Sequence, residues 1–150
     1  MANTFTNLLI HIVFSTKNRI PFLHDSARER TYEYMGGIIR EKGGILLEIG
    51  GMPDHSHLLV RIKAACSVAD MVGPIKSSSS KWVHDTFPTL DQFAWQVGYA
   101  AFSVSESRVA AVRRYIRNQA EHHARVSFED ELIALLRKHG IEYDERHLFD

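Results

Sequence analysis

His55 and His57 stand two residues apart in His55-Ser56-His57-Leu58-Leu59-Val60-Arg61-Ile62, a segment that reads as a β-strand. Side chains alternate along a strand, so both imidazoles project from one face and Ser56 from the other. Each neutral ring offers one nitrogen lone pair, and two such rings side by side suit a divalent metal. Asp54, in the preceding turn, is a candidate accessory ligand or orienting base. The pair fills only two coordination positions, and with 9 histidines in 150 residues chance spacing is a competing explanation.

A second group lies in Arg113-Arg114-Tyr115-Ile116-Arg117-Asn118-Gln119, where the pattern predicts a helix. Tyr115 and Gln119 are four apart and share a helix face, with His122 and His123 about one turn further on as accessory candidates. A phenol becomes a covalent nucleophile when a metal or positive charge polarises its target phosphate. It needs that help, because its ordinary pKa lies near 10. Arg113, Arg114 and Arg117 flank it, and guanidinium groups bind phosphate through a planar fork. Taken alone, Tyr115 reads more readily as a surface aromatic with a packed ring and a wet hydroxyl. Taken together, the metal pair, phenol, amide and basic segment suit cleavage of a phosphodiester. Attack by the tyrosyl oxygen expels a 3′-hydroxyl and leaves a 5′-phosphotyrosine, a transesterification that conserves the bond for rejoining.

The elements that must position these groups follow from the local patterns. Phe5–Phe14, Ile45–Ile49, His55–Ile62 and Gly98–Val104 read as strands. Residues 25–42, 67–85 and 106–123 read as helices, and a last one follows Ser127 and ends at Gly140. Ser67 is a candidate N-cap, and Ser127 with Asp130 resembles a capping box. Gly50–Asp54 reads as a turn joining two strands of a hairpin. Pro74 is expected to bend the second helix or mark its start. The first six elements run strand, helix, strand, strand, helix, strand. That order predicts an α+β, ferredoxin-like or RRM-like antiparallel sheet, with helices packed on one face and C-terminal helices carrying Tyr115. A length of 150 residues predicts a single domain, 1–150.

Composition narrows the partners less than it first suggests. Hydrophobic residues make up 45% of the chain, which supports a core and argues against disorder. Apolar runs are too short to cross a bilayer, no signal peptide is evident, and the single Cys66 excludes a disulfide framework; a cytoplasmic setting without a membrane partner is the expectation. The formal charge is zero, from 18 basic and 18 acidic residues. Residues 61–119, however, hold 8 basic and 4 acidic groups, and residues 120–150 hold 4 basic and 8 acidic. The middle is therefore net +4 and the tail net −4. Lys76, Lys81, Arg113, Arg114 and Arg117 are the candidate phosphate contacts, which would make binding salt-sensitive.

Four stretches carry a family resemblance that spans nearly the chain. They are His11-Ile12-Val13-Phe14-Ser15-Thr16-Lys17, Met52-Pro53-Asp54-His55-Ser56-His57-Leu58-Leu59-Val60, Phe93-Ala94-Trp95-Gln96-Val97-Gly98-Tyr99 and Tyr115-Ile116-Arg117-Asn118-Gln119. The chain resembles the single-tyrosine HUH transposases of small insertion sequences, the IS200/IS605-like group that includes repeat-associated enzymes. The resemblance implies that Tyr115 is the nucleophile and that His55, His57 and Gln119 hold Mg²⁺ or Mn²⁺. It also implies single-stranded DNA with hairpins as substrate and a homodimer, in some members with each tyrosine helix completing the partner's site. Ser56 departs from the bulky hydrophobic residue usual between the two histidines. Three other readings stay open on sequence: a noncatalytic hairpin or single-strand binding module, a metal-dependent phosphodiesterase using water, and a structural dimer whose histidines bind no metal.

Overall fold

The structure is a computed structural model and describes residues 3–150. Its four strands are β1 (Leu8–Ser15), β2 (Ile45–Met52), β3 (His55–Ile62) and β4 (Ala100–Val104). They form one antiparallel sheet in the order β2-β3-β1-β4. The helices are α1 (Asp25–Glu41), α2 (Val68–Thr86), α3 (Val109–Arg117), α4 (Gln119–His123) and α5 (Phe128–Lys138). This is the split βαβ arrangement expected from the element order.

Alternation along the two central strands sorts the layers. Ile12 and Phe14 of β1, with Leu58, Val60 and Ile62 of β3, share one core with Met35 and Ile39 of α1 and Met71, Val72 and Ile75 of α2. The intervening residues Leu9, His11 and Val13, with His55, His57 and Leu59, face the opposite way. There Ile116 of α3 closes on Leu9 and Leu59, while Phe128, Leu132 and Leu136 of α5 close on Val13 and Phe102. Full burial of such side chains is worth about 1.5–3 kcal/mol each, so both layers are firmly seated. The second face is therefore covered by the C-terminal helices, and the two histidines lie beneath them.

Several boundaries differ from the sequence expectation for physical reasons. β1 begins at Leu8, because Phe5 is 90% exposed and has no strand to pair with. β2 runs on through Gly50 and Gly51 to Met52, since these glycines pair with His57 and Ser56, leaving only Pro53 and Asp54 as the turn. A bulge between Leu46 and Glu48 shifts the register and aims Glu48 and Gly50 at the face covered by α3. β4 starts at Ala100, two residues later than expected. The helix expected over 106–123 is interrupted: a 3₁₀ turn at Glu106–Arg108 precedes α3, and Asn118, with φ −96° and ψ 26°, separates α3 from α4. Pro74 lies inside α2 without ending it, and Ser67 and Ser127 cap α2 and α5 by accepting from the Asp70 and Asp130 amides. Among the described residues no helix is long and apolar enough to cross a membrane.

Candidate active site

β3 lies inside the sheet, hydrogen-bonded on both sides, so the positions of His55 and His57 are set by two registers at once. Both rings are buried, at 1% and 0% exposure. Ser56 points to the other layer, where its hydroxyl is 3.2 Å from the Tyr32 hydroxyl. The residue between the histidines thus packs under α1 and does not enter the site.

Above the histidines, α3, α4 and α5 each bring a polar group down. The Tyr115 hydroxyl donates to Glu131 Oε2 in a short hydrogen bond. Glu131 Oε1 stands 3.0 Å from His57 Nε2, 3.4 Å from His55 Nε2 and 3.1 Å from His123 Nε2. Gln119 Oε1 lies 2.9 Å from His55 Nε2 and 2.8 Å from His123 Nε2. Despite the break at Asn118, backbone bonding continues from Arg114 to Asn118 and from Asn118 to His122, so Tyr115 and Gln119 stay on one side. Gln119 and His123 are a further four residues apart and reach the same point. His122 comes within 3.3 Å of Glu131 Oε2, yet its buried Nε2 has no hydrogen-bond partner among the described residues.

The outer ring nitrogens fix the tautomers of two of these rings. His55 Nδ1 is 2.7 Å from the Asp54 carboxylate, and His123 Nδ1 is 2.6 Å from the Val126 carbonyl oxygen. Both partners only accept, so both Nδ1 atoms carry the hydrogen. In neutral rings the Nε2 lone pairs then face the oxygens of Gln119 and Glu131, acceptor against acceptor. Only a cation, a proton or a metal, reconciles them. The ligand atoms of His55, His57, His123 and Glu131 all lie within 4.8 Å of one another, so the cluster is able to hold a divalent metal.

The same contacts set how the centre holds protons. Burial pulls His55 down, but hydrogen bonds to Asp54, Glu131 and Gln119 outweigh it and carry its pKa up to about 9. Burial keeps His57 below its ordinary value despite Glu131, and burial beside His57 brings His11 down to about 3. Burial alone would raise Glu131, yet hydrogen bonds from His55 and His57 hold its carboxyl well below the usual carboxylate range. Tyr115 is pushed above its ordinary value by burial and by the charge of Glu131. His11 Nε2 lies 2.9 Å from His57 Nδ1 and orients that ring from β1.

The basic residues singled out by sequence do not gather at this point. Lys76 and Lys81 lie on α2, in the layer beyond the sheet. All three Lys76 donors are engaged by the carbonyls of Gln96, Val97 and Gly98 at 2.6–3.0 Å. Lys81 pairs with Asp85 at 2.8 Å on the surface. Arg113 and Arg117 lean on Glu48 of β2, at 3.1 and 3.6 Å. Arg114 is exposed. Beside Tyr115 a groove of about 820 Å³ runs between α3, α5 and β4, with Val104, Val112 and Leu135 on its floor and Arg108, Lys138 and His139 along it.

Residues 4–119 match the model of the family described as "Transposase IS200 like". The chain belongs to the IS200-like transposase family. It is similar to the transposase for insertion sequence element IS200 of Salmonella typhimurium, with 28% identity covering 81% of this chain and 82% of the relative. The ISDra2 transposase TnpA of Deinococcus radiodurans is 25% identical over 73% of this chain and 81% of its own. Among solved structures, a putative transposase from Deinococcus radiodurans superposes with a TM-score of 0.67 and 27% identity, covering 79% of this chain and 95% of that one. A REP-associated tyrosine transposase bound to a REP hairpin shares the fold, with a TM-score of 0.63 at 12% identity over 84% and 74% of the two chains. Family and metal-competent cluster together make this IS200-like protein a metal-dependent tyrosine transposase of the HUH type, acting on single-stranded DNA.

Sequence reasoning missed Glu131, the most connected group in the site, and did not assign His11. Both had a signal. Glu131 falls three residues after Phe128 and four before Leu135, on the apolar side of α5, and His11 sits among inward-facing residues of β1.

Proposed function

We propose that this IS200-like protein cleaves and rejoins single-stranded DNA through a covalent bond to Tyr115, within one domain spanning residues 1–150. The observation that carries the reading is the continuous contact from the Tyr115 hydroxyl through Glu131 to His57 and His55, which brings a nucleophile and a metal-competent cluster to one point. The reading assigns His55, His57 and Gln119 to a divalent ion, for which the family resemblance implies Mg²⁺ or Mn²⁺ and the imidazole donors favour a later first-row ion. When bound, that ion supplies Lewis-acid polarisation of the scissile phosphate.

The chain's own residues do the rest. Glu131 Oε2 holds the Tyr115 hydroxyl in place and receives its proton. The Tyr115 oxygen bonds to phosphorus as the bond from phosphorus to the 3′-oxygen breaks, and the proton accepted by Glu131 passes through water to that oxygen, which restores the carboxylate. Reversal with a new 3′-hydroxyl rejoins the strand and returns the phenol. The groove beside Tyr115 accommodates the strand flanking the scissile phosphate, with Arg108 and Lys138 near its backbone. Arg113, Arg114 and Arg117 serve phosphates outside the centre, and Lys81 is available only to DNA that wraps to the opposite layer. Hairpins near element ends are the proposed recognition feature, and a homodimer the proposed assembly.

The test incubates protein with hairpin-bearing single-stranded DNA and Mn²⁺ or Mg²⁺, then resolves the denatured products. The parent is expected to form a protein–DNA adduct and Tyr115→Phe none. An equal adduct from Tyr115→Phe refutes the nucleophile. Cleavage without any adduct that survives in Tyr115→Phe favours a water-using phosphodiesterase, and binding without cleavage a noncatalytic module.

A further inference from the structure

The centre holds more donors than two histidines and one amide. His55 Nε2, His57 Nε2, His123 Nε2, Gln119 Oε1 and Glu131 Oε1 converge, with neighbouring atoms 2.8–3.4 Å apart. Ligands held about 2.0–2.2 Å from one ion stand at such separations from each other. Two of the five, His123 and Glu131, lie beyond residues 4–119 that match the family. Each ring is held from behind, His55 by Asp54, His57 by His11 and His123 by the Val126 carbonyl. Such outer partners orient imidazoles toward a metal and raise their basicity.

The donor types then select among ions. Mg²⁺ prefers an octahedron of oxygens and keeps several waters. Here three of five donors are imidazole nitrogens, and His55, His57, Gln119 and Glu131 are all buried, at 0–2% exposure. Imidazole suits the later first-row ions, whose affinity for nitrogen sites climbs from Mn²⁺ towards Cu²⁺.

We propose that this is a five-donor centre for a first-row transition ion of the Co²⁺, Ni²⁺ or Zn²⁺ kind, with His123 and Glu131 as ligands, and that it discriminates against Mg²⁺. The proposal rests on the reading that the cluster is the protein's metal centre, and it makes α5 a ligand-bearing helix whose docking is coupled to metal.

The experiment titrates metal-free protein with Co²⁺ by calorimetry and by visible absorption, whose intensity rises as coordination falls below six, and measures Mg²⁺ by competition. Co²⁺ is expected to bind at least about 100-fold more tightly than Mg²⁺. Glu131→Gln, which keeps the side-chain shape, and His123→Ala are each expected to weaken Co²⁺ about tenfold or more and to change its spectrum. Circular dichroism confirms that each variant is folded. Parent-like affinity and spectrum in both variants, or Mg²⁺ within about tenfold of Co²⁺, overturns the proposal. Binding lost in His57→Ala but unchanged in Glu131→Gln and His123→Ala overturns the five-donor centre alone; binding unchanged in all three overturns the metal centre itself.

Discussion

Gly50 offers a direct test of how the tyrosine is positioned. It sits in β2 opposite His57, on the face covered by α3. A Cβ at this position would lie 2.4 Å from the Ile116 carbonyl oxygen and 3.1 Å from Ile116 Cγ2, whereas ordinary contact begins at 3.4 Å. The nearer obstacle is helix backbone, which no rotamer change can move aside. Gly50→Ala therefore drives α3 outward by about 1 Å, and a misplacement of that size costs about 10²-fold in rate. Because Ile116 adjoins Tyr115, the displaced atom of consequence is the nucleophile. Overpacking also costs about 1–3 kcal/mol of stability, or about 2–4 °C in Tm for each kcal/mol in a chain of this size. The assay is single-turnover adduct formation at a temperature where the variant is fully folded, with a thermal melt alongside. His55 and His57 stay on β3 while Gln119 follows α3, so metal affinity is expected to fall alongside the rate. An adduct rate equal to the parent's, with an unchanged Tm, would refute the claim that the sheet's close approach to α3 sets the position of Tyr115.

Four further outcomes follow from other contacts. Lys76→Met leaves the part-buried carbonyls of Gln96 and Gly98 without their donor, each unmet group costing up to about 1–3 kcal/mol, so thermal melts should show a clear loss while the salt dependence of DNA binding is unchanged. Arg114→Ala is expected to leave Tm nearly unaltered and to lower the salt slope of single-strand binding, read by anisotropy, by about 0.7. Metal uptake must displace the proton that holds His55 at about 9 in the metal-free protein; calorimetry between about pH 7 and 9 should therefore show affinity rising roughly tenfold per unit, and flattening above that range. Finally, an equal mixture of Tyr115→Phe and His57→Ala should give no adduct beyond that of the separate proteins, since Tyr115 meets the histidines of its own chain; restored adduct would show exchange between subunits.

The parts of this site written in short periods were legible in the chain. A two-residue spacing on a strand and a four-residue spacing on a helix are local geometry, and they suffice to bring His55 to His57 and Tyr115 to Gln119. The sheet was legible for the same reason, through alternation and the order of elements. Glu131 carried a local signal in its place on the apolar side of α5, but its significance is long-range. In sequence it is the last of Glu129-Asp130-Glu131, acids in the first turn of a helix, where the macrodipole explains them without any site. Gly50-Gly51 misled in the opposite sense. Glycine pairs read as turns, but here the lack of a side chain serves a close approach, with Ile116 crowding one glycine and the His55 carbonyl and Tyr32 hydroxyl the other. Charge misled most: Lys76 looked free for phosphate, yet its ammonium ties together the chain ahead of β4.

The site divides between two bodies, and the division constrains any assembly. The sheet holds His55 and His57, backed by Asp54 and His11. The helices hold Tyr115, Gln119, His123 and Glu131. That helical body is fastened to the sheet by Ile116, Phe128, Leu132 and Leu136, at 0%, 3%, 5% and 7% exposure. Removing it would expose apolar surface worth on the order of 10 kcal/mol, comparable with the whole stability of a domain this size. Tyr115 therefore does not leave its own histidines by local fluctuation. A second chain's tyrosine reaches them only by supplying the same contacts, as in an exchange of identical elements between protomers. Such an exchange carries the nucleophile, the carboxylate that holds its proton and three of the five donor atoms together. A dimer thus either keeps each site within one chain or trades α3, α4 and α5 as a unit, because Glu131 binds the tyrosine and the histidine pair with opposite oxygens of one carboxylate.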